Sequence, residues 1–351
     1  MSHLSAWRSR SLLAISLIWF SSPVFAHIKW FAPFDTSEAP RDLGDVLSPH
    51  FAILYGISIL FIYGFFWIDR YFYRDRYLSH KIDHWVIQKV HSHVIVRGAT
   101  CIFFVSLFLY AQLADQHFLL TPELQTDLSI VPWIQLFSGL FLLYRPTVPL
   151  AGIGTLALFS IGVWGYGIHH MLDYMMFLGL AVYFLLNNRH GQRAVTTKYV
   201  ILFASVGLTL LWGATAKWAY PQWTFFLLER DPALLMGMEP SFYMILAGFV
   251  EFILTFILFS SASVFARIIA LGFNSIFIVA IYKFGLIDAV GHLLIIAVLL
   301  ILGLRGPTKA RYFLVLKDKS LWVESYYMTG LYILAINVMF LTYYGIYYLT
   351  R

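Results

Sequence analysis

Long apolar runs separated by short polar breaks dominate the chain, and most runs are apolar on every face rather than on one stripe. A helix apolar all round belongs in a core or a bilayer, and a hydrocarbon layer of about 30 Å needs about 20 residues. Ten runs reach or approach that length: Phe51 to Ile68, Val94 to Leu113, Ile130 to Tyr144, Val148 to Tyr166, Met171 to Leu186, Val200 to Ala216, Ser241 to Phe259, Ala266 to Lys283, Ile287 to Leu304 and Tyr326 to Tyr348. The pattern predicts an all-α polytopic membrane protein whose ten spans place both ends on one side.

The first 26 residues have a different character. Arg8 and Arg10 precede a short apolar core, Ser11 to Phe20, and Val24-Phe25-Ala26 offers small residues for cleavage. This is the layout of a secretory signal peptide, with an uncleaved signal anchor as the alternative. Cleavage after Ala26 leaves His27 as the new amino terminus. Residues 27–49 then form a polar external arm, and 50–93 hold the first span and a basic loop read as a surface helix. Two four-span units follow at 94–189 and 198–305, and 306–351 contain a basic loop and the last span.

Composition agrees with the pattern. Of 351 residues, 60% are hydrophobic, 19% aromatic and 12% charged, well away from soluble domains. The net charge of +6 comes from Lys and Arg gathered in alternate loops, an orientation signal that puts those loops in the cytoplasm and the arm in the periplasm of a bacterial inner membrane. This excludes nucleic acid as the partner that the charge serves and leaves membrane lipids in that role. The one cysteine, Cys101, rules out an intrachain disulfide, a Cys-based zinc site and a dithiol motif. No P-loop, dinucleotide fingerprint, nucleophile triad or haem-attachment motif is present.

The two four-span units carry a hint of duplication. Tyr166-Gly167-Ile168 precedes His169, His170 and Asp173, and Phe284-Gly285-Leu286 precedes Asp288 and His292. Units with an even number of spans would be parallel, related by an axis along the membrane normal. Aromatic-glycine pairs are also common at helix ends, so two readings stay open.

Leu211-Trp212-Gly213-Ala214-Thr215-Ala216-Lys217 and Ala247-Gly248-Phe249-Val250-Glu251 resemble the DoxX-like membrane family. That family's four-span unit closes its first span with Gly and Lys and has an Ala-Gly-x-x-Glu pattern in its second. The resemblance covers about a third of the chain and implies that Lys217 and Glu251 form a polar core. The family includes small membrane subunits associated with thiosulfate:quinone oxidoreductases, which brings quinone into view as a ligand. The arm, the first four-span unit and the last span lie beyond the family's unit.

Ionisable residues inside apolar runs carry a cost of about 2.5–3.5 kcal/mol on insertion scales and mark candidate sites. Glu251 is the first of these, and Lys217 reaches it only by turning inward. Six of the 12 histidines fall on the predicted outer side: His27, His50, His117, His169, His170 and His292. A terminal His27 offers amine and imidazole to one metal, a donor set suited to Cu(II). His169, His170, Asp173, Asp288 and His292 are the further candidate ligands. His169 with Asp173, and Asp288 with His292, lie one helical turn apart and share a face, which suits a metal shell or a proton relay. Polar groups satisfied near headgroups explain the same spacing. Trp218, Tyr220 and Trp223 read as an interfacial belt, or as the wall of a quinone or lipid-head pocket.

Two functions follow. One is copper handling or quinone-linked redox chemistry at an outer His/Asp site. The other is a non-catalytic module that binds a lipid, a quinone, or a membrane or periplasmic protein partner. A transporter is a third, weakened by the lack of an evident broken helix or polar path.

Overall fold

The computed structural model describes residues 35–74, 91–189, 191–306, 314–316 and 319–350. Eleven helices carry the architecture: α1 Pro49–Arg74, α2 Ser92–Leu113, α3 Ile130–Phe141, α4 Val148–Tyr166, α5 Met175–Leu185, α6 Gln192–Ala219, α7 Gln222–Arg230, α8 Pro240–Ser260, α9 Phe265–Phe284, α10 Leu286–Arg305 and α11 Leu321–Thr350. The described residues are all-α, and nine helical segments are long and apolar enough to cross a membrane. One of them, Ile168–Leu185, is broken. It opens as an α turn at Ile168–Met171, narrows to a 3-10 turn at Leu172–Tyr174 and resumes as α5. The predicted signal segment and His27 lie outside the described residues.

The sequence predicts a tenth span at Ile130 to Tyr144, and here the structure has a shorter element. Helix α3 is 12 residues long, too short to cross alone. Its last carbonyls find partners outside the helix: Thr147 Oγ1 donates to Phe141 O at 2.8 Å and Arg97 Nε to Leu142 O at 2.8 Å. On its other side Phe118, Leu119, Leu120 and Leu124 are buried, and Gln135 Nε2 donates to the carbonyls of Phe118 and Leu119 at 2.6 and 3.0 Å. A side-chain amide and an inward-folded connection thus satisfy backbone groups that would otherwise be orphaned in an apolar setting.

Helix neighbours follow a closed circuit. Helices α2, α3, α4 and α5 pack in succession, as do α6, α8, α9 and α10, and the two sets join twice, through α5 with α6 and through α10 with α2. Helices α1 and α11 pair with one another and lean on α8 and α6. Residues 35–48 and the end of α11 meet at the same end of the bundle, where Tyr344 Oη donates to Arg41 O at 2.8 Å. We call this the arm end and the opposite one the basic end.

Helix starts and stops have local causes. Pro240 opens α8, and the Glu239 carboxylate caps it by accepting from the N–H groups of Ser241 at 2.9 Å and Phe242 at 2.8 Å, satisfying donors that have no partner within the helix. Gly167 and Gly285 each end one helix and begin the next with φ of 78° and 84°. Only glycine adopts that backbone without a Cβ clash.

Candidate functional site

Lys217, two residues from the end of α6, and Glu251, midway along α8, form an ion pair with Nζ and Oε2 2.5 Å apart. Their side chains are 14% and 8% exposed, so the pair is largely removed from solvent without being sealed. The lysine turns back along its own helix, bringing Nζ to 3.5 Å from Gly213 O. An opposite charge at this distance offsets a large part of the cost of holding either charge in an apolar bundle. Asp173 lies within electrostatic reach of Glu251 and of the buried Tyr343. Asp173 itself is buried in the broken segment between Ile168 and Leu185.

Around it, His169 packs edge-on to Tyr343, Tyr347 and Trp212, with ring centroids 4.7, 5.4 and 5.6 Å away. His170 is buried between Tyr166 and Tyr174, both at 5.8 Å, and Tyr174 Oη donates to the Glu123 carboxylate. The two adjacent histidines thus occupy different aromatic surroundings. Asp288 and His292 form a fully buried pair, Oδ1 to Nδ1 3.0 Å, with the imidazole stacked 4.8 Å from Phe277. Among the described residues no group of three or more His, Cys, Asp or Glu is placed to hold a metal ion. His50 packs edge-on to Phe242 at 5.6 Å, and His117 Nε2 lies 3.3 Å from Asp115 Oδ1.

The three aromatic candidates are engaged by the chain itself. Trp218 Nε1 donates to Ile245 O at 3.1 Å and its ring stacks on Phe340 at 5.2 Å. A Cβ at Gly248 would lie 2.2 Å from that nitrogen, so Gly248 gives the indole its seat one turn from Glu251. Tyr220 and Trp223 stack at 3.9 Å. Glu38 binds all three polar atoms beside them: Trp223 Nε1 donates to Oε2 at 2.6 Å, Gln222 Nε2 to Oε1 at 2.9 Å and Tyr220 Oη to the backbone carbonyl at 3.3 Å. With Arg41 N–H donating to Ala219 O at 2.8 Å, the arm is fastened over the end of α6.

Sequence reasoning passed over two features. At the basic end, the fully buried Asp69 pairs with Arg70 at 2.8 Å and accepts hydrogen bonds from Ser261 Oγ and, at 2.5 Å, Ser263 Oγ. A loop reading of Asp69 and Arg70 concealed this; the Ser-Ala-Ser turn between two apolar helices is the signal that matches it. The second feature is a groove of about 420 Å³ between α6 and α8, walled by Phe203, Ala204, Gly207, Leu211, Thr255 and Phe259 among others. Glu251 and Thr255 are one turn apart on α8 and share a face, so groove and ion pair lie on the same helix seam. No helical period reveals a groove of this kind, because it depends on where side chains are small on both neighbours.

No family model, curated protein or solved structure matches the chain. The site rests on its own geometry.

Proposed function

We propose that the chain is a multi-pass module of the bacterial inner membrane, DoxX-like in its 198–305 unit, that binds a membrane-soluble amphiphile, a lipid or a quinone. The carrying observation is the Lys217–Glu251 pair at 2.5 Å on the α6–α8 seam. An ionisable pair inside a bundle is expensive, and this one, largely buried, sits one turn along α8 from Thr255, a residue of the groove wall. The ion pair offers a donor and an acceptor to a polar head, while the groove takes an apolar tail. Pockets that bind small molecules share this form, mostly apolar walls with a few placed polar groups. The copper reading depends on His27 as terminal ligand, which lies outside the described residues.

The test is chemical extraction of protein purified in mild detergent. Wild type retains an apolar small molecule that Lys217→Met/Glu251→Gln loses while keeping its elution volume. Equal retention by both proteins rejects the reading.

A further inference from the structure

Five cationic side chains from four parts of the sequence gather at the basic end, where the two four-helix sets join. His93 and Arg97 stand in the first turns of α2, Arg145 in the turn between α3 and α4, Lys198 near the start of α6, and Arg305 closes α10. Hydrogen bonds and ring contacts fix the group. Arg97 Nη2 donates to Leu143 O at 3.0 Å, two residues before Arg145, and Asn187 Nδ2, just past the end of α5, donates to Arg145 O at 3.3 Å. One turn back on α5, the Tyr183 ring faces Lys198 Nζ at 5.3 Å. Tyr183 Oη donates to Tyr199 Oη at 3.4 Å, the Tyr199 ring lies 4.5 Å from the Arg305 guanidinium, and Arg305 Nη1 donates to Ser92 Oγ at 3.3 Å. Lys198 lies within electrostatic reach of Arg145 and Arg305, and His93 of Lys198, Arg97, Arg145 and His91.

Like charges held together away from water repel one another. Among the described residues no carboxylate lies within ion-pair distance of any of the five. The contrast with Arg70 and Lys217 is direct, since those have Asp69 and Glu251. Lys198 is only 9% exposed, and its ammonium makes no hydrogen bond among the described residues. An aromatic face offsets part of the cost of a desolvated cation and leaves its charge in place. An orientation signal needs only that Lys and Arg stand in a loop, whereas this lysine is buried at a helix junction. The junction calls for an anion.

Its rim specifies the class of anion. His93 and Arg145 are exposed, and beside them Val94, Leu143 and Tyr144 are exposed as well. A ligand here meets cations and open apolar surface within a residue or two of each other, so it must be an amphiphile with an anionic head. Arginine binds phosphate oxygens through paired N–H groups, and basic pockets between spans on the side of the basic loops take anionic lipid headgroups.

We propose that the junction of α2, α5, α6 and α10 at the basic end binds one anionic phospholipid, its phosphate held by Lys198 and Arg305 with His93 and Arg145 at the rim, and its acyl chains along Val94, Leu143 and Tyr144. The site stands apart from the Lys217–Glu251 seam, since Lys198 and Lys217 are about 28 Å apart along the axis of α6.

The experiment titrates delipidated full-length protein in a non-ionic detergent with dioleoyl phosphatidylglycerol, counting bound lipid by native mass spectrometry and following the unfolding temperature. Dioleoyl phosphatidylcholine and inorganic phosphate are the parallel probes. Wild type should bind one phosphatidylglycerol and unfold at a higher temperature with it, and phosphatidylcholine should do neither. Lys198→Met removes a repelled charge, so without lipid it should unfold no lower than wild type; with lipid it should bind about tenfold more weakly and lose the rise. Arg145→Gln, at an exposed position, should weaken binding about threefold. Arg189→Gln removes an exposed charge outside the cluster and Lys217→Met/Glu251→Gln removes the other pair; both should bind like wild type, so either site can fail alone. Weakening by Arg189→Gln equal to that by Lys198→Met means diffuse attraction, and loss in Lys217→Met/Glu251→Gln puts the headgroup at the seam. A Lys198→Met protein that unfolds lower with and without lipid makes the lysine a structural support, and stabilisation by inorganic phosphate alone makes the ligand a free anion. Each of these results, or equal binding of phosphatidylcholine, overturns the proposal.

Discussion

At the scale of single residues, the centre is organised by pairing. Glu251 was legible from its position inside an apolar run, because a carboxylate there demands a partner. Its partner was harder to read, since Lys217 lies near the end of its helix and joins the pair only by folding back toward Gly213. Removing one member leaves an uncompensated buried charge, a loss of about 3–5 kcal/mol. Glu251→Leu should therefore lower the unfolding midpoint in detergent strongly, and Lys217→Met/Glu251→Leu should recover most of the loss. Equal midpoints for the single and double variants would show that the two side chains do not act as a pair. The aromatic run beside them was legible as an interfacial feature. Its attachment to Glu38 was not, because a contact between residues about 185 positions apart leaves no periodic trace.

At the scale of elements, caps and glycine turns set the helix ends. The Ser241 N–H, followed by that of Phe242, holds the Glu239 carboxyl below its ordinary value. The sign is that of a depressed acid: the cap contributes fully above the unfolded glutamate pKa and is lost as pH falls through the lower folded value. Glu239 is exposed, so screening keeps its electrostatic part small. Glu239→Ala should cost about 1 kcal/mol at pH 7 and much less at pH 3, read from unfolding curves; a cost independent of pH would mean the charge plays no part. Gly167→Ala and Gly285→Ala should each destabilise by about 1 kcal/mol, because both positions have positive φ. The apolar runs located the long helices because length and uniform hydropathy are local properties. They overestimated α3, which ends at Phe141 and whose Gln135 instead binds carbonyls of the buried connection before it, and they hid the break at Leu172–Tyr174, since a 3-10 turn preserves hydropathy.

At the scale of the whole molecule, the two four-helix sets meet through equivalent pairs, α5 with α6 and α10 with α2. Each set turns on a glycine before its last span, followed by buried Asp and His side chains. The two turns serve different surroundings, however: Asp173 lies within electrostatic reach of Glu251, whereas Asp288 pairs with His292. Orientation is the expectation most open to direct test. Reporter fusions after Gln125 and Arg230 should report the periplasm and those after His190 and Lys309 the cytoplasm, following the basic loops; a reversal at any one position would remove a crossing. The most direct measurement of the central claim is infrared difference spectroscopy of the protein in nanodiscs on addition of decyl-benzoquinone. A polar head placed beside Glu251 changes the hydrogen bonding of its carboxyl group, so wild type should show a carboxyl-region difference band that is absent from Glu251→Gln. Quinone binding that leaves the carboxyl region unchanged, or a band that persists in Glu251→Gln, would contradict the account.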